Sequence, residues 1–323
     1  MSSVLYDTPG PRTRAKTIVA SIVAAPLIAL LAYLVIVQPL ADRGQFDWKL
    51  WAPIFDTSDP NFPLVWDRWR DGWLRTLKAA VLSMVFSFVL GSLLGLVRRE
   101  LRELRRRRFP DQPRPARTGL ISSVLAGVGL SRGWVEVARG TPVYVTIVVV
   151  YTFLPRWGVD FDDRLWYLVI ALTIYNSVVI AEIIRSGMEN LPSGQREASL
   201  AIGLGSWQTS VLVLYPQALR IMLPALISQL VVVLKDTSLG GLTVSYEEAL
   251  RTTQQMVEAF RGLNIANGIP MFVTLGVMYV AVNYVVSRLA HYLQGRMGSG
   301  RHRRKSDEPP VQVVEAGAGA AGA

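Results

Sequence analysis

From Ile18 to Val37 the chain carries no charged side chain. About 20 apolar residues are what a helix needs to cross a bilayer core. Backbone groups in hydrocarbon must find their hydrogen bonds within the segment, so a run of this length reads as a spanning helix. A secretory signal peptide is the rival reading, because Arg12, Arg14 and Lys16 precede the run. Its apolar stretch exceeds the ~7–15 residues of a signal core, and no A-x-A-like site follows, so the run is read as an uncleaved anchor.

The same rule places five more spans. The second is Leu77 to Val97, with Lys78 able to snorkel at its edge. Along it Ser83, Ser87, Gly91 and Gly95 recur every four residues, a spacing that lets a neighbouring helix approach closely. The third is built on Val143 to Leu154 and extended back to Trp134, which puts Glu136 and Arg139 near the inner interface. Thr118 to Leu130 reads as an interfacial or cytoplasmic helix, with a short extra span as the alternative. The fourth is Leu165 to Ile184, the fifth Met222 to Leu242, and the sixth Met271 to Leu289. The expected fold is an all-α polytopic membrane protein of about six transmembrane helices.

Charge sets the orientation. The 34 Lys+Arg against 24 Asp+Glu give +10, which alone would suit a nucleic-acid binder or a membrane protein with basic cytoplasmic faces. Residues 98–118 hold nine arginines against Glu100, Glu103 and Asp111, and 296–305 holds five basic residues and no acid. On the other side, residues 39–72 carry six acids against four bases, and 156–164 three against two. The bias alternates as six spans require, placing both termini in the cytoplasm. No nucleic-acid partner is needed to explain the charge; membrane lipid is the expected surrounding. Glu315 to Ala323 reads as a Gly/Ala-rich disordered tail.

Catalytic chemistry is missing. With no cysteine, thiol catalysis, disulfides and Fe–S ligation are excluded, and two histidines, His291 and His302, leave no His-rich metal site. None of the five lysines follows a glycine, so no phosphate-binding G-x-x-x-x-G-K-[ST] loop is present. No catalytic residue, metal or cofactor is expected in this chain.

Glu189 to Pro224 reads as helix, turn and helix. Pro192 opens the first helix with Ser193 as N-cap. Ala198, Ala201, Ile202 and Gly205 form a narrow face of small residues. Gly203 and Gly205 close that helix and Ser206 caps the next. A slim face with Glu197 near its start suits a groove on another protein, or an ordinary interfacial helix touching only its own chain.

The segment resembles the EAA loop of ABC importer permeases, E-A-A-x3-G-x9-I-x-L-P, in Glu197, Ala198, Ser199, Gly203, Val213, Tyr215 and Pro216; Ser199, Val213 and Tyr215 depart from it. Val135–Pro142 (VEVARGTP) is similar to the E-x-x-R-G-T-P signature of polar amino-acid permeases. Ala181–Gly187 (AEIIRSG), Pro216–Arg220 (PQALR) and Leu234–Leu239 (LKDTSL) resemble further elements. The matches run in order over residues 72–290.

The resemblance implies a permease domain at 72–292 with its coupling loop at 189–216. It is preceded by a tail, extra span and extracytoplasmic loop at 1–71, and followed by a basic, then Gly/Ala-rich tail at 293–323. It implies a subunit of a bacterial plasma-membrane importer. The partners would be a second permease, identical or homologous, an ABC ATPase dimer that binds ATP-Mg, and an extracytoplasmic amino-acid-binding protein. Glutamate or glutamine is the first expectation for cargo. Glu197, Ala198, Ser199, Gly203 and Pro216 would couple to the ATPase.

Intramembrane polar residues are costly unless paired or facing water, so Asn176, Glu182, Lys235, Asp236, Thr237 and Ser238 are candidates for the substrate path. The alternatives are a Lys235–Asp236 ion pair and a Glu182–Arg185 bridge at i+3. Arg139, Gly140, Thr141 and Pro142 would shape the start of the third span, since Pro142 biases Thr141 away from helix. Two other functions compete: an ion-coupled secondary transporter, which would show internal repeats, and a non-transport membrane protein whose basic loop binds RNA or lipid.

Overall fold

The computed structural model describes residues 10–106 and 114–298. The tail expected from Glu315 onward, and Arg107 and Arg108, lie outside the described residues. Among the described residues all regular structure is helical, with no strand. Five helical stretches are long and apolar enough to cross a membrane: Thr13–Asp42, Phe62–Leu104, Leu165–Glu189, Ser206–Thr243 and Gly268–Leu289. A bent pair, Leu125–Gly140 and Val143–Arg156, brings the total to six where the pair is counted as one broken span. The chain divides into two compact units: residues up to Ala79 with Thr237–Val280, and Ala80–Asp236 with residues from Ala281 on.

In the first unit, Pro11 opens the helix Pro11–Ala32, which continues through a π-helical stretch, Tyr33–Val37, into Gln38–Asp42. Its apolar side chains are exposed along the whole run, as an anchor facing lipid requires. Residues 39–72, expected to be a loop, are helical over most of their length, with turns at 43–47 and 56–61. Asp47 accepts the Lys49 N–H at 3.2 Å and starts the helix Trp48–Phe55, and another helix begins at Phe62. An acid at an N-cap satisfies an orphan donor, so the negative charge of this stretch serves local structure as well as topology.

The core of this unit gathers Ile54, Val65, Trp69, Met256, Val257, Phe260 and Met271. Three of these seven come from the helix Ala249–Gly262, which is too polar to stand out as an apolar run. That helix is amphipathic, with Thr252, Thr253, Met256, Val257 and Phe260 on its buried face. The Trp69 indole N–H donates to Thr253 Oγ1 at 2.8 Å, and Ala249 N–H donates to Thr76 Oγ1 at 3.1 Å. A Cβ on Gly72 would sit 2.9 Å from Thr252 Oγ1, so glycine permits this approach.

Glu248 caps the same helix from a fully buried position. Its carboxylate accepts the N–H of Leu250 at 2.7 Å, the N–H of Arg251 at 2.8 Å and the Tyr279 hydroxyl at 3.3 Å. Burial pushes the carboxyl up to about 7, with the two backbone N–H groups opposing.

The second unit is organised around the helix Phe62–Arg106, which enters it at Ala80. Its 45 residues, at ~1.5 Å each, reach about 65–70 Å, over twice a ~30 Å hydrocarbon core. Helix therefore replaces the expected loop as far as Arg106 and again from Arg114. Ser83, Ser87, Gly91 and Gly95 are buried, as their spacing predicts. They face the helix Leu165–Glu189: a Cβ on Gly91 would lie 2.7 Å from the Ser177 carbonyl oxygen, and one on Gly95 3.0 Å from that of Ala181.

The third span is not the straight segment from Trp134. Arg114–Gly140 is one helix that includes 118–130, and its Leu125–Gly140 part meets Val143–Arg156 at 106°. Pro142 lacks an N–H and holds Thr141 out of helix, while the Thr141 hydroxyl donates to the Val137 carbonyl at 2.8 Å. The fifth span starts earlier than Met222: Ser206–Gln208 leads through a π-helical stretch, Thr209–Leu214, into Tyr215–Asp236. A π turn just before Pro216 is one way for a helix to absorb a missing donor. The last helix, Gly268–Gly298, overruns both expected ends.

Candidate coupling helix and polar path

The segment expected to couple folds as the helix Ser193–Ala201. Pro192 occupies the N-cap with no side-chain bond, so Ser193 is the first helical residue and not the cap. At the far end Gly203 takes φ +86°, its N–H reaches the Leu200 carbonyl at 3.0 Å, and the Leu204 N–H reaches that of Ser199 at 3.1 Å. This left-handed closure needs glycine, because a Cβ is disfavoured there. Gly205, not Ser206, then caps the next helix, and its N–H donates to Gln208 Oε1 at 2.9 Å. The Ser206 hydroxyl turns instead to Glu100, at 2.9 Å.

Only Ser199 is buried in this short helix, its hydroxyl donating to the Gln195 carbonyl at 2.6 Å. Glu197, Ala198, Ala201 and Gly203 are exposed, and Ile202 is 79% exposed. The small-residue face thus stands open, prolonged by Ile202 through the turn. Pro216 is exposed near the start of the following helix.

A polar brace holds this region, and of its pairs sequence reasoning reached only Glu182–Arg185. Glu103 pairs with Arg196 of the short helix, and Glu100 accepts from Ser206. Arg99 donates to the Ser210 hydroxyl, and the Tyr215 hydroxyl donates to Ser92 at 2.9 Å. Arg98 meets Glu182 at 3.1 Å and Arg102 meets Glu189 at 3.0 Å, while Arg185 pairs with both acids. The Arg98 and Arg185 side chains are only 7% and 11% exposed, so removing their carboxylates would strand charge at a cost of several kcal/mol. A signal was present: Arg98, Arg99, Glu100, Arg102 and Glu103 alternate sign over two turns of helix.

Among the path candidates, Asn176 is fully buried. Its amide donates to the Leu172 carbonyl at 2.8 Å and accepts from Gln229 at 2.6 Å, joining the fourth and fifth spans. Glu182 sits in the ion-pair cluster, where its alternative reading as the Arg185 partner holds. Lys235 is exposed and Asp236 half-buried at the end of Tyr215–Asp236. Thr237 is fully buried and Ser238 half-buried in the turn before Leu239–Thr243. Arg139 and Gly140 are exposed, and with Thr141 and Pro142 they form the bend of the third span.

Residues 120–299 match the family described as binding-protein-dependent transport system inner membrane component. A glutamate transport system permease protein, GluD of Corynebacterium glutamicum, is 33% identical over 282 residues, 85% of this chain and 91% of that protein. A probable glutamine ABC transporter permease, GlnP of Bacillus subtilis, is 31% identical over 74% of this chain and 96% of its own. In fold, the chain is similar to a solved amino acid ABC transporter crystallised with histidines, with a TM-score of 0.56 at 21% identity over 71% of this chain and 94% of that one. It is also similar to the inward-facing MetNI methionine ABC transporter, with a TM-score of 0.52 at 21% identity over 72% and 97%. The membrane-spanning helices, the glycine-closed short helix between the fourth and fifth spans, and these likenesses lead to one conclusion: the chain belongs to the family of binding-protein-dependent transport system inner membrane components.

Proposed function

We propose that the chain is the multi-pass permease subunit of an ATP-driven importer of polar amino acids, with glutamate or glutamine as cargo handed over by an extracytoplasmic binding protein. One observation carries this reading: the helix Ser193–Ala201 and its glycine turn expose a slim face, Ala198, Ala201 and Ile202, that the described residues leave open. An ATPase groove fits such a face, and the ATPase would hold ATP-Mg, since no lysine here follows a glycine. Hydrolysis then belongs to that separate subunit, and a second permease, identical or homologous, completes the path. The cargo follows from the relatives, two of whose names specify glutamate or glutamine. Asn176 with Gln229, and Thr237, are the groups we assign to the path, with Glu197, Ala198, Ser199, Gly203 and Pro216 assigned to coupling.

Gly203→Val tests the coupling assignment. No neighbour lies within 4 Å of a Cβ there, but φ +86° costs a non-glycine residue about 1–2 kcal/mol, more when β-branched. The turn must reshape and re-aim the short helix. In the assembled complex in liposomes, binding-protein-stimulated ATP hydrolysis should fall while basal hydrolysis and assembly persist. Undiminished stimulation would remove residues 190–210 from the coupling path.

A further inference from the structure

In the first unit a cavity of about 340 Å³ opens between the end of the N-terminal anchor and the start of the last helix. Leu40, Ile269 and Phe272 supply its apolar wall, and Arg43, Arg261 and Asn267 its polar one. Asn267 is fully buried, and neither its amide nitrogen nor its carbonyl oxygen has a hydrogen-bond partner. A buried amide with both ends unsatisfied costs about 1–3 kcal/mol per group, so it implies a ligand or water at the wall it lines. Arg43 and Arg261 are exposed, and neither forms an ion pair among the described residues. Asp42 beside Arg43 and Glu258 one turn before Arg261 close no bridge to them.

Two guanidiniums without an ion-pair partner and an amide donor line one cavity, and an anion with several acceptor oxygens is the ligand class that matches all three. Arg43 directly follows the helix Gln38–Asp42, and Asn267 directly precedes Gly268–Gly298. Both therefore stand at span ends, where lipid headgroups lie, and on the face opposite the arginine-rich segment by the charge bias. The apolar wall suits an acyl chain and not a free, fully hydrated ion. We infer that this cavity binds the phosphate group of an anionic phospholipid in the outer leaflet, joining the N-terminal anchor to the last helix through a shared lipid.

The test uses the full chain in its assembled complex, in nanodiscs of phosphatidylglycerol or of phosphatidylcholine, with Arg43→Gln/Arg261→Gln as the variant. Both arginines are exposed, so the variant should fold. Native mass spectrometry should find phosphatidylglycerol retained by the wild type, and retention at least about tenfold weaker in the variant, as loss of charge-assisted bonds predicts. Arg43→Lys/Arg261→Lys should restore part of it. Equal retention of phosphatidylcholine, or unchanged retention by the Gln variant, would overturn the site. A thermal shift of the wild type in phosphatidylcholine produced by inorganic phosphate alone, or by glutamate alone, would overturn the lipid assignment in favour of a free anion.

Discussion

Gly91→Ala isolates the contact that sets how closely two spanning helices pack. A Cβ built there lies 2.7 Å from the Ser177 carbonyl oxygen and 2.8 Å from two Ile180 side-chain carbons. Ordinary contact starts at 3.4 Å, so the helices must part by about 0.7 Å or bend locally. The obstacle at Ser177 is backbone and cannot rotate away. Overpacking of this kind costs about 1–3 kcal/mol, while replacing a helical glycine by alanine returns about 1 kcal/mol. The net expectation is a loss of up to about 2 kcal/mol. Gly133→Ala is the internal control: it is also helical, no atom lies within 4 Å of its Cβ, and it should gain about 0.5–1 kcal/mol. Thermal unfolding of both variants in one detergent, followed by tryptophan fluorescence, gives the comparison. If Gly91→Ala proves as stable as Gly133→Ala, the close approach along the Ser83–Gly95 face is refuted.

Three further outcomes are expected. Glu248 holds its proton more tightly in the folded chain, up to about 7, than its ordinary value of 4.5 allows. Its contribution is therefore complete below ~pH 4.5 and is lost as pH rises through about 7, by on the order of 3 kcal/mol at most; Glu248→Gln should flatten the stability–pH curve across that window, and an unchanged slope would assign the slope to other groups. Thr253→Val removes the acceptor of the buried Trp69 indole at 2.8 Å and should cost about 1–3 kcal/mol in unfolding free energy, with the shape of the site preserved. Glu103→Arg and Arg196→Glu should each lower binding-protein-stimulated hydrolysis, and the double exchange should recover much of it; no recovery in the double variant would separate this ion pair from coupling.

What the sequence disclosed depended on whether a signal was local. Ile18–Val37 needs nothing beyond its own apolarity, so its helix was legible. So was the buried face at Ser83, Ser87, Gly91 and Gly95, because a four-residue period of small side chains has one physical use. Gly203 was legible as a helix terminator for the same reason. The helix Ala249–Gly262 was not, since it is too polar for an apolar-run test and shows its character only through spacing. The local Glu182–Arg185 pair of the brace was legible, but its long-range pairs were not, because those partners stand far apart in the chain: Glu103 finds Arg196 and Glu100 finds Ser206. The bend at Thr141–Pro142 was readable as a break in helix, but the angle depends on the packing of both arms. The cavity at Asn267 joins residues from opposite ends of the chain, so no local pattern announces it.

The proposed function turns on one step, ATP-driven movement of cargo coupled to an external ATPase. Uptake of labelled glutamate and glutamine into liposomes holding the assembled complex tests it directly, with binding protein outside and ATP inside. The expected result is uptake that needs both ATP and binding protein and that survives ionophores collapsing every ion gradient. Uptake that proceeds without the ATPase and stops when a gradient is collapsed would contradict it.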